Sequence, residues 1–159
     1  MYITFDRMNA TVFLTVISGV ITYVLGQLAV KLVIDPVQET KKTIGQIALA
    51  LIERANVVAN PGVSERVVID ETAKHFRQLS SQLQSHLYLV PCYKVTAMIF
   101  RLPAVENVLK STSYLIGLSN SLHRTDDRVY ESNAKRAEAI HDLLGIYLAD
   151  GERWPKDLP

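Results

Sequence analysis

Glu138 and His141 are the residues of this chain whose spacing comes closest to a metal site. They stand three positions apart in a helical pattern, and a Glu-x-x-His pair on each of two helices supplies ligands in di-iron bundle proteins. The comparable stretch from Glu71 to Lys74 has lysine where the second histidine is needed. Half of the signature is expected by chance in a helix rich in glutamate. The sequence therefore predicts no metal site and no cofactor.

The cysteine, the serines and the glycines also do not form a recognisable catalytic or phosphate-binding motif. Cys92 follows Pro91 in an apolar setting, where a thiol ionises less readily, so we interpret it as a small inert hydrophobic residue. The serines lack a Gly-x-Ser-x-Gly context, and the seven glycines are scattered rather than grouped in a phosphate-binding loop. We predict no catalytic residues and a protein that is not an enzyme.

Two groups of polar residues lie near the ends of predicted helices. One group is Arg54, Asn56 and Asn60, and the other is Tyr114, Asn120, Ser121 and His123. If the two helices are antiparallel neighbours, the groups converge on one polar cluster, where a ligand or partner is first expected. The alternative is local hydrogen bonding at helix ends combined with exposure to solvent.

An uncharged run near the N-terminus determines where in the cell the rest of the chain is expected to lie. Met8 to Val30 comprises 23 residues without a charged side chain, and about 20 apolar residues suffice to cross a bilayer as a helix. A cleaved signal peptide has a shorter apolar region and small residues at its end, and a soluble core helix has a regular polar face. The run from Met8 to Val30 is too long for a signal peptide, and it lacks the regular polar face of a soluble core helix. We therefore predict an uncleaved single-pass membrane anchor.

The basic residues on either side of this run predict its orientation. Arg7 precedes it, whereas Lys31, Lys41 and Lys42 follow it, and loops rich in lysine and arginine stay on the cytoplasmic side. We therefore expect the N-terminus outside and the C-terminal domain in the cytoplasm, at the inner (plasma) membrane. The single Cys92 cannot form an internal disulfide, as expected in a reducing compartment.

One face of the predicted anchor carries small side chains at steps of three and four residues. We call these residues the small-residue stripe: Thr15, Ser18, Gly19, Thr22, Gly26 and Ala29. Small residues let two membrane helices approach closely, so the stripe predicts helix packing and self-association. The alternative is that glycine, serine and threonine are simply common in membrane helices.

The rest of the chain reads as one helical bundle. We divide the sequence into an anchor (1–34), a bundle (35–151) and a tail (152–159), with four main antiparallel helices and one short, largely buried helix over Pro91–Arg101. The main helices are bounded by Asn60-Pro61-Gly62, Pro91, Pro103 and Asp150-Gly151. The pattern places Ile52, Ala55, Leu109 and Tyr147 on inner faces and uses Thr125 as the cap of the last helix.

The junction between anchor and bundle is left open by the sequence. Asp35 followed by Pro36 has the pattern of an N-cap and a first helical residue. A proline at this position permits either a turn or a kinked continuation of the preceding helix.

These features favour an all-α, membrane-anchored interaction or scaffold module on the cytoplasmic face, with the bilayer and a protein partner or second copy as its partners. Two alternatives remain. One is a stress or defence effector that oligomerises through its membrane helix and perturbs the bilayer, and the other is a membrane-bound enzyme with a site in the bundle core. The net charge of +1, with both signs interspersed, predicts no nucleic-acid partner.

Overall fold

All of the regular secondary structure in the described parts of the chain is helical; these parts are residues 3–124, 128–148 and 153 of a computed structural model. No strand occurs in these ranges, so the predicted all-α class is confirmed. In chain order the helices are α1 (Ile3–Ala29), a π-helical segment (Val30–Ile34), α2 (Asp35–Glu53), α3 (Ala55–Ala59), α4 (Arg66–Leu89), α5 (Tyr93–Phe100), α6 (Val105–Ser121) and α7 (Val129–Leu144).

The junction between α1 and α2 is a continuous helix rather than a turn. Asp35 has helical dihedral angles, makes no side-chain cap, and donates its N–H to the carbonyl of Val30, five residues back. Pro36 has no N–H for the carbonyl four residues earlier, and its ring crowds that carbonyl. The wider π turn relieves this conflict. The expected N-cap at Asp35 is therefore wrong, and its carboxylate instead binds Lys31 at 2.9 Å.

The bundle is built around α4, which packs against α2 on one side and α6 on the other, while α7 packs against α6. Neighbouring helices run antiparallel: Thr43 of α2 contacts His86 near the end of α4, whereas Ala50 and Leu79 lie together further along. The fully buried side chains that fill the core are Phe76, Ile47, Leu79, Leu83, Leu115, Leu118, Leu122, Ile140 and Val108. Bundle packing of amphipathic helices is thus as the sequence predicts.

Four side chains that were expected on inner faces are exposed, namely Ile52, Ala55, Leu109 and Tyr147. Ile52 is 70% exposed and Tyr147 is 87% exposed. The first helix ends early, because Arg54 leaves helical geometry and α3 starts again at Ala55. The last helix ends at Leu144, since Gly145 adopts a left-handed conformation (φ 68°), in which glycine pays no Cβ penalty. The predicted continuation of this helix to Asp150-Gly151 is therefore wrong, because residues 146–148 are not helical. Asp150 and Gly151 themselves, and the expected cap at Thr125, lie outside the described residues.

The short helix α5 is less buried than predicted. Tyr93, Thr96 and Ala97 face the bundle, and the Tyr93 hydroxyl donates to the carbonyl of Pro103 at 3.0 Å. The opposite side of α5 is exposed. Of the described non-glycine residues, Cys92 (φ 46°) and Arg101 (φ 55°) have left-handed backbone geometry, one at each end of α5. Such geometry is unfavourable for side chains with a Cβ, so the surrounding contacts must hold it in place.

Candidate functional site

The membrane-length helix α1 stands apart from the bundle. Every residue from Ala10 to Lys31 is exposed, and none of the apolar window is buried by the described part of the chain. The core helix of a soluble protein is mostly covered, whereas no part of this apolar window is buried by the rest of the described chain. By length and composition α1 is apolar enough to span a membrane.

The small-residue stripe lies entirely on this exposed helix. The Thr15 hydroxyl donates to the carbonyl of Thr11 at 2.9 Å, which satisfies its polar group within the helix. A Cβ added at Gly19 or Gly26 would meet no atom within 4 Å. Neither glycine is therefore required by packing inside this chain, and the surface around both is open to another helix.

The polar residues predicted to converge make contacts with different partners. Asn60 donates to the side chain of Asn56 at 2.8 Å, both on the exposed side of α3, and Arg54 is the half-buried residue between α2 and α3. Across the bundle, Asn120 accepts from Arg77 at 2.8 Å.

Two further members of this predicted set, His123 and Tyr114, lie elsewhere on the bundle, and Ser121 bonds to Asn133. His123 lies 3.6 Å from Asp70 on α4, in an exposed pair. Tyr114 is partly buried against the hydrophobic core. Asn56 with Asn60, Asn120 with Arg77, and His123 with Asp70 therefore form separate pairs rather than one polar cluster.

Asn133 is the polar residue that does connect the helix ends, and sequence reasoning missed it. It is fully buried, shares a short hydrogen bond with the hydroxyl of Ser121, and donates its amide to the carbonyl of Val58 at 3.2 Å. Close by, the N–H of Gly62 donates to the carbonyl of Leu122 at 3.1 Å. A buried amide with its partners in place orients α3, α6 and α7 relative to one another. We interpret this arrangement as a buried hydrogen-bond network that stabilises the fold rather than as a ligand-binding site.

The Glu138–His141 pair lies beside an apolar groove of about 480 Å³ between α2–α3 and α7. The residues that line this apolar groove are Leu51, Ile52, Ala55, Val58, Ala59, Ala134, Ala137, Glu138, His141, Tyr147, Leu148 and Arg153. Arg153 lies 3.2 Å from Asp142 and 3.3 Å from Glu138 beside this groove, and its bonds to these two carboxylates raise its pKa. In the described ranges no three metal-ligating side chains come together.

His86 is a buried histidine in the seam between α2 and α4. Its Nε2 lies 3.0 Å from the Thr43 hydroxyl, and its Nδ1 has no hydrogen-bond partner among the described residues. Burial lowers the pKa of His86, and the charge of Glu39 partly opposes this shift. The imidazole is therefore neutral at pH 7, and its role in the seam is packing and one hydrogen bond to Thr43.

Cys92, interpreted from the sequence as a small inert hydrophobic residue in a largely buried segment, is exposed at the turn before α5. Two successive features explain this difference: α4 ends at Leu89, and Cys92 then takes a left-handed backbone conformation that turns the chain into α5. The position is useful experimentally because the chain contains one cysteine.

Comparison with protein-family models, with curated proteins and with solved structures finds no match to this chain.

Proposed function

We propose that this chain is a single-pass membrane-anchored helical bundle that acts as an interaction or scaffold module on the cytoplasmic face of the inner membrane. The observation that carries the proposal is the exposure of α1 along its described apolar stretch, from Ala10 to Ala29. In water, a contiguous apolar surface of this size is strongly unfavourable at about 25 cal/mol per Å², whereas hydrocarbon accommodates it. A helix also satisfies its own backbone groups, as a bilayer requires.

The charges around α1 support the cytoplasmic assignment of the bundle. Lys31, Lys41 and Lys42 follow the apolar run, and all three are exposed. Lys31 pairs with Asp35 and Lys42 lies 3.6 Å from Glu39, but carboxylates contribute little to membrane topology compared with lysine and arginine.

A second copy of the chain is the partner that we propose first. The small-residue stripe faces outward along α1, and in lipid the packing of small residues lets two helix backbones come close. The continuous helix through the π segment would carry this association directly into α2, so that two bundles are held side by side. The exposed apolar groove on each bundle supports a role in contacts between proteins.

Self-association is tested by replacing both stripe glycines with leucine. Gly19→Leu with Gly26→Leu adds bulk on the stripe, and we expect crosslinked dimer in native membranes to fall to background. Ile17→Leu with Val24→Leu is the matched control, because a two-residue step turns about 200° around a helix and lies on the opposite side. This control should keep the wild-type level of dimer. Equal crosslinking by both variants would contradict association through the stripe.

A further inference from the structure

The exposed side of α5, together with the end of α4, forms an apolar patch. The residues of this α5 patch are Tyr88, Leu89, Val95, Met98 and Ile99, which are between 54% and 83% exposed. Val95, Met98 and Ile99 follow steps of three and four residues and lie opposite Tyr93, Thr96 and Ala97, which face the bundle. Since α5 is held by its inner face and by left-handed residues at both ends, the apolar side chains are presented outward in a fixed arrangement.

The α5 patch lies at the end of the bundle from which α1 departs. The contact of 3.0 Å between Thr43 and His86 aligns the end of α4 with the start of α2. Thr43 is about 13 Å along the helix axis from Ile34, and Leu89 is about one turn closer to α1 than His86 is. The end of α4 therefore lies within about 10 Å of the level of Ile34.

The start of α6 is at the same end. Arg77 of α4 bonds to Ser119 of α6 at 2.8 Å, whereas Ser80, further along α4, bonds to the carbonyl of Thr112 at 3.0 Å. The two helices are thus antiparallel, and α5 connects the end of α4 with the beginning of α6. A connection between these two points must lie at the α1 end of the bundle.

The charges around the α5 patch are complementary to an anionic surface. Lys94 and Arg101 are exposed within and beside it, and the sequence from Leu87 to Arg101 has no acidic residue. Two carboxylates lie near this end of the bundle: Glu106, in a cleft of about 330 Å³ that it shares with Lys94 and Met98, and Glu39, whose charge acts on His86. Basic residues near an anionic leaflet are attracted to it, and apolar side chains beside them enter the headgroup region.

We propose that the α5 patch lies against the surface of the same bilayer that α1 crosses, as a second, peripheral contact with anionic lipid. This inference rests on the proposed membrane anchoring of α1. The headgroup layer adds about 5–8 Å to each side of the hydrocarbon core, so a modest tilt of the bundle about the π segment brings α5 into it. The contact fixes how the bundle is oriented at the membrane and which of its sides faces the cytoplasm.

Spin labels on the full chain in bilayers containing anionic lipid test this contact. In a Cys92→Ser background, one label each is placed at Met98→Cys, Ile99→Cys, Val67→Cys and Val20→Cys. Val67 is the matched control: it is 65% exposed, similar to Ile99 at 67%, but lies at the start of α4, at the opposite end of the bundle. We expect labels at 98 and 99 to collide with oxygen dissolved in lipid and to be shielded from a water-soluble nickel complex, as at 20, while the label at 67 is accessible to nickel.

The outcomes separate the two proposals. Labels at 98 and 99 that are as accessible to nickel as the label at 67, with 20 in lipid, would overturn the α5 contact and leave the anchor intact. Labels at 98 and 99 that are shielded from both oxygen and nickel would also overturn it, in favour of a covering protein. A label at position 20 that is accessible to nickel in water would overturn the proposed membrane anchor itself.

Replacing Lys94 with glutamine should lower the ratio of lipid-contacting to free α5 about fivefold, the effect of one basic residue near an anionic surface.

Discussion

Leu51→Asp is expected to unfold the bundle while α1 stays helical in detergent. Leu51 is 5% exposed and belongs to the core. Removing a buried leucine side chain costs about 2–5 kcal/mol, and an unpaired buried carboxylate adds several kcal/mol more. A domain of this size has a total stability of about 5–15 kcal/mol. We expect the thermal transition followed by circular dichroism to be lost, with a residual helical signal from α1.

Ile52→Asp is the matched control for this experiment, since it introduces the same side chain one residue later. Ile52 is 70% exposed, so the free energy of unfolding should change by no more than about 0.5 kcal/mol. Loss of the transition in both variants, or in neither, would contradict the helix faces described for α2.

Two arginines in the middle of α1 are expected to release the protein from the membrane. Val16 and Val20 are both exposed on α1 and lie near the centre of the apolar run. Each arginine at the centre of a membrane helix costs about 2.5–3.5 kcal/mol on the insertion scale, so Val16→Arg with Val20→Arg should reduce insertion about 10⁴-fold. The fraction of protein that floats with membranes in a density gradient after alkaline washing measures this loss.

The control replaces the same two valines with leucine, which keeps the helix apolar and should leave the floating fraction unchanged. Because the described bundle makes no burying contact with the apolar window of α1, the arginine variant should retain the folded bundle. If the double-arginine protein floated as wild type does, α1 would not be held by lipid.

The periodic spacing of apolar residues predicts the long helices of this fold well, because the buried face of a helix repeats every three to four residues. Ile47, Leu51 and Val58 recur at helical spacing, as do Phe76, Leu79 and Leu83, and the structure buries all six. The length of the apolar run similarly indicates a helix that can cross a membrane. The spacing of buried residues and the length of an apolar run can both be read directly from the local sequence.

The features that could not be predicted depend on contacts between distant segments. Asn133 lies in a stretch rich in charges and resembles a solvated residue, yet it is buried because Ser121 and the carbonyl of Val58 supply its partners. The conformation at Pro36 depends on whether the preceding helix continues, which the dipeptide alone does not decide. The exposure of Met98 follows from which face of α5 packs on the bundle.

Reactivity of a thiol at position 63 in intact cells tests the central claim most directly. Val63 is 80% exposed and lies between α3 and α4, at the end of the bundle opposite to α1. In a Cys92→Ser background, Val63→Cys should resist a membrane-impermeant thiol reagent in intact cells and react fully once the inner membrane is permeabilised, with the protein floating with membranes throughout. Labelling of this cysteine before permeabilisation, or recovery of the protein among soluble proteins, would contradict a bundle held on the cytoplasmic face by α1.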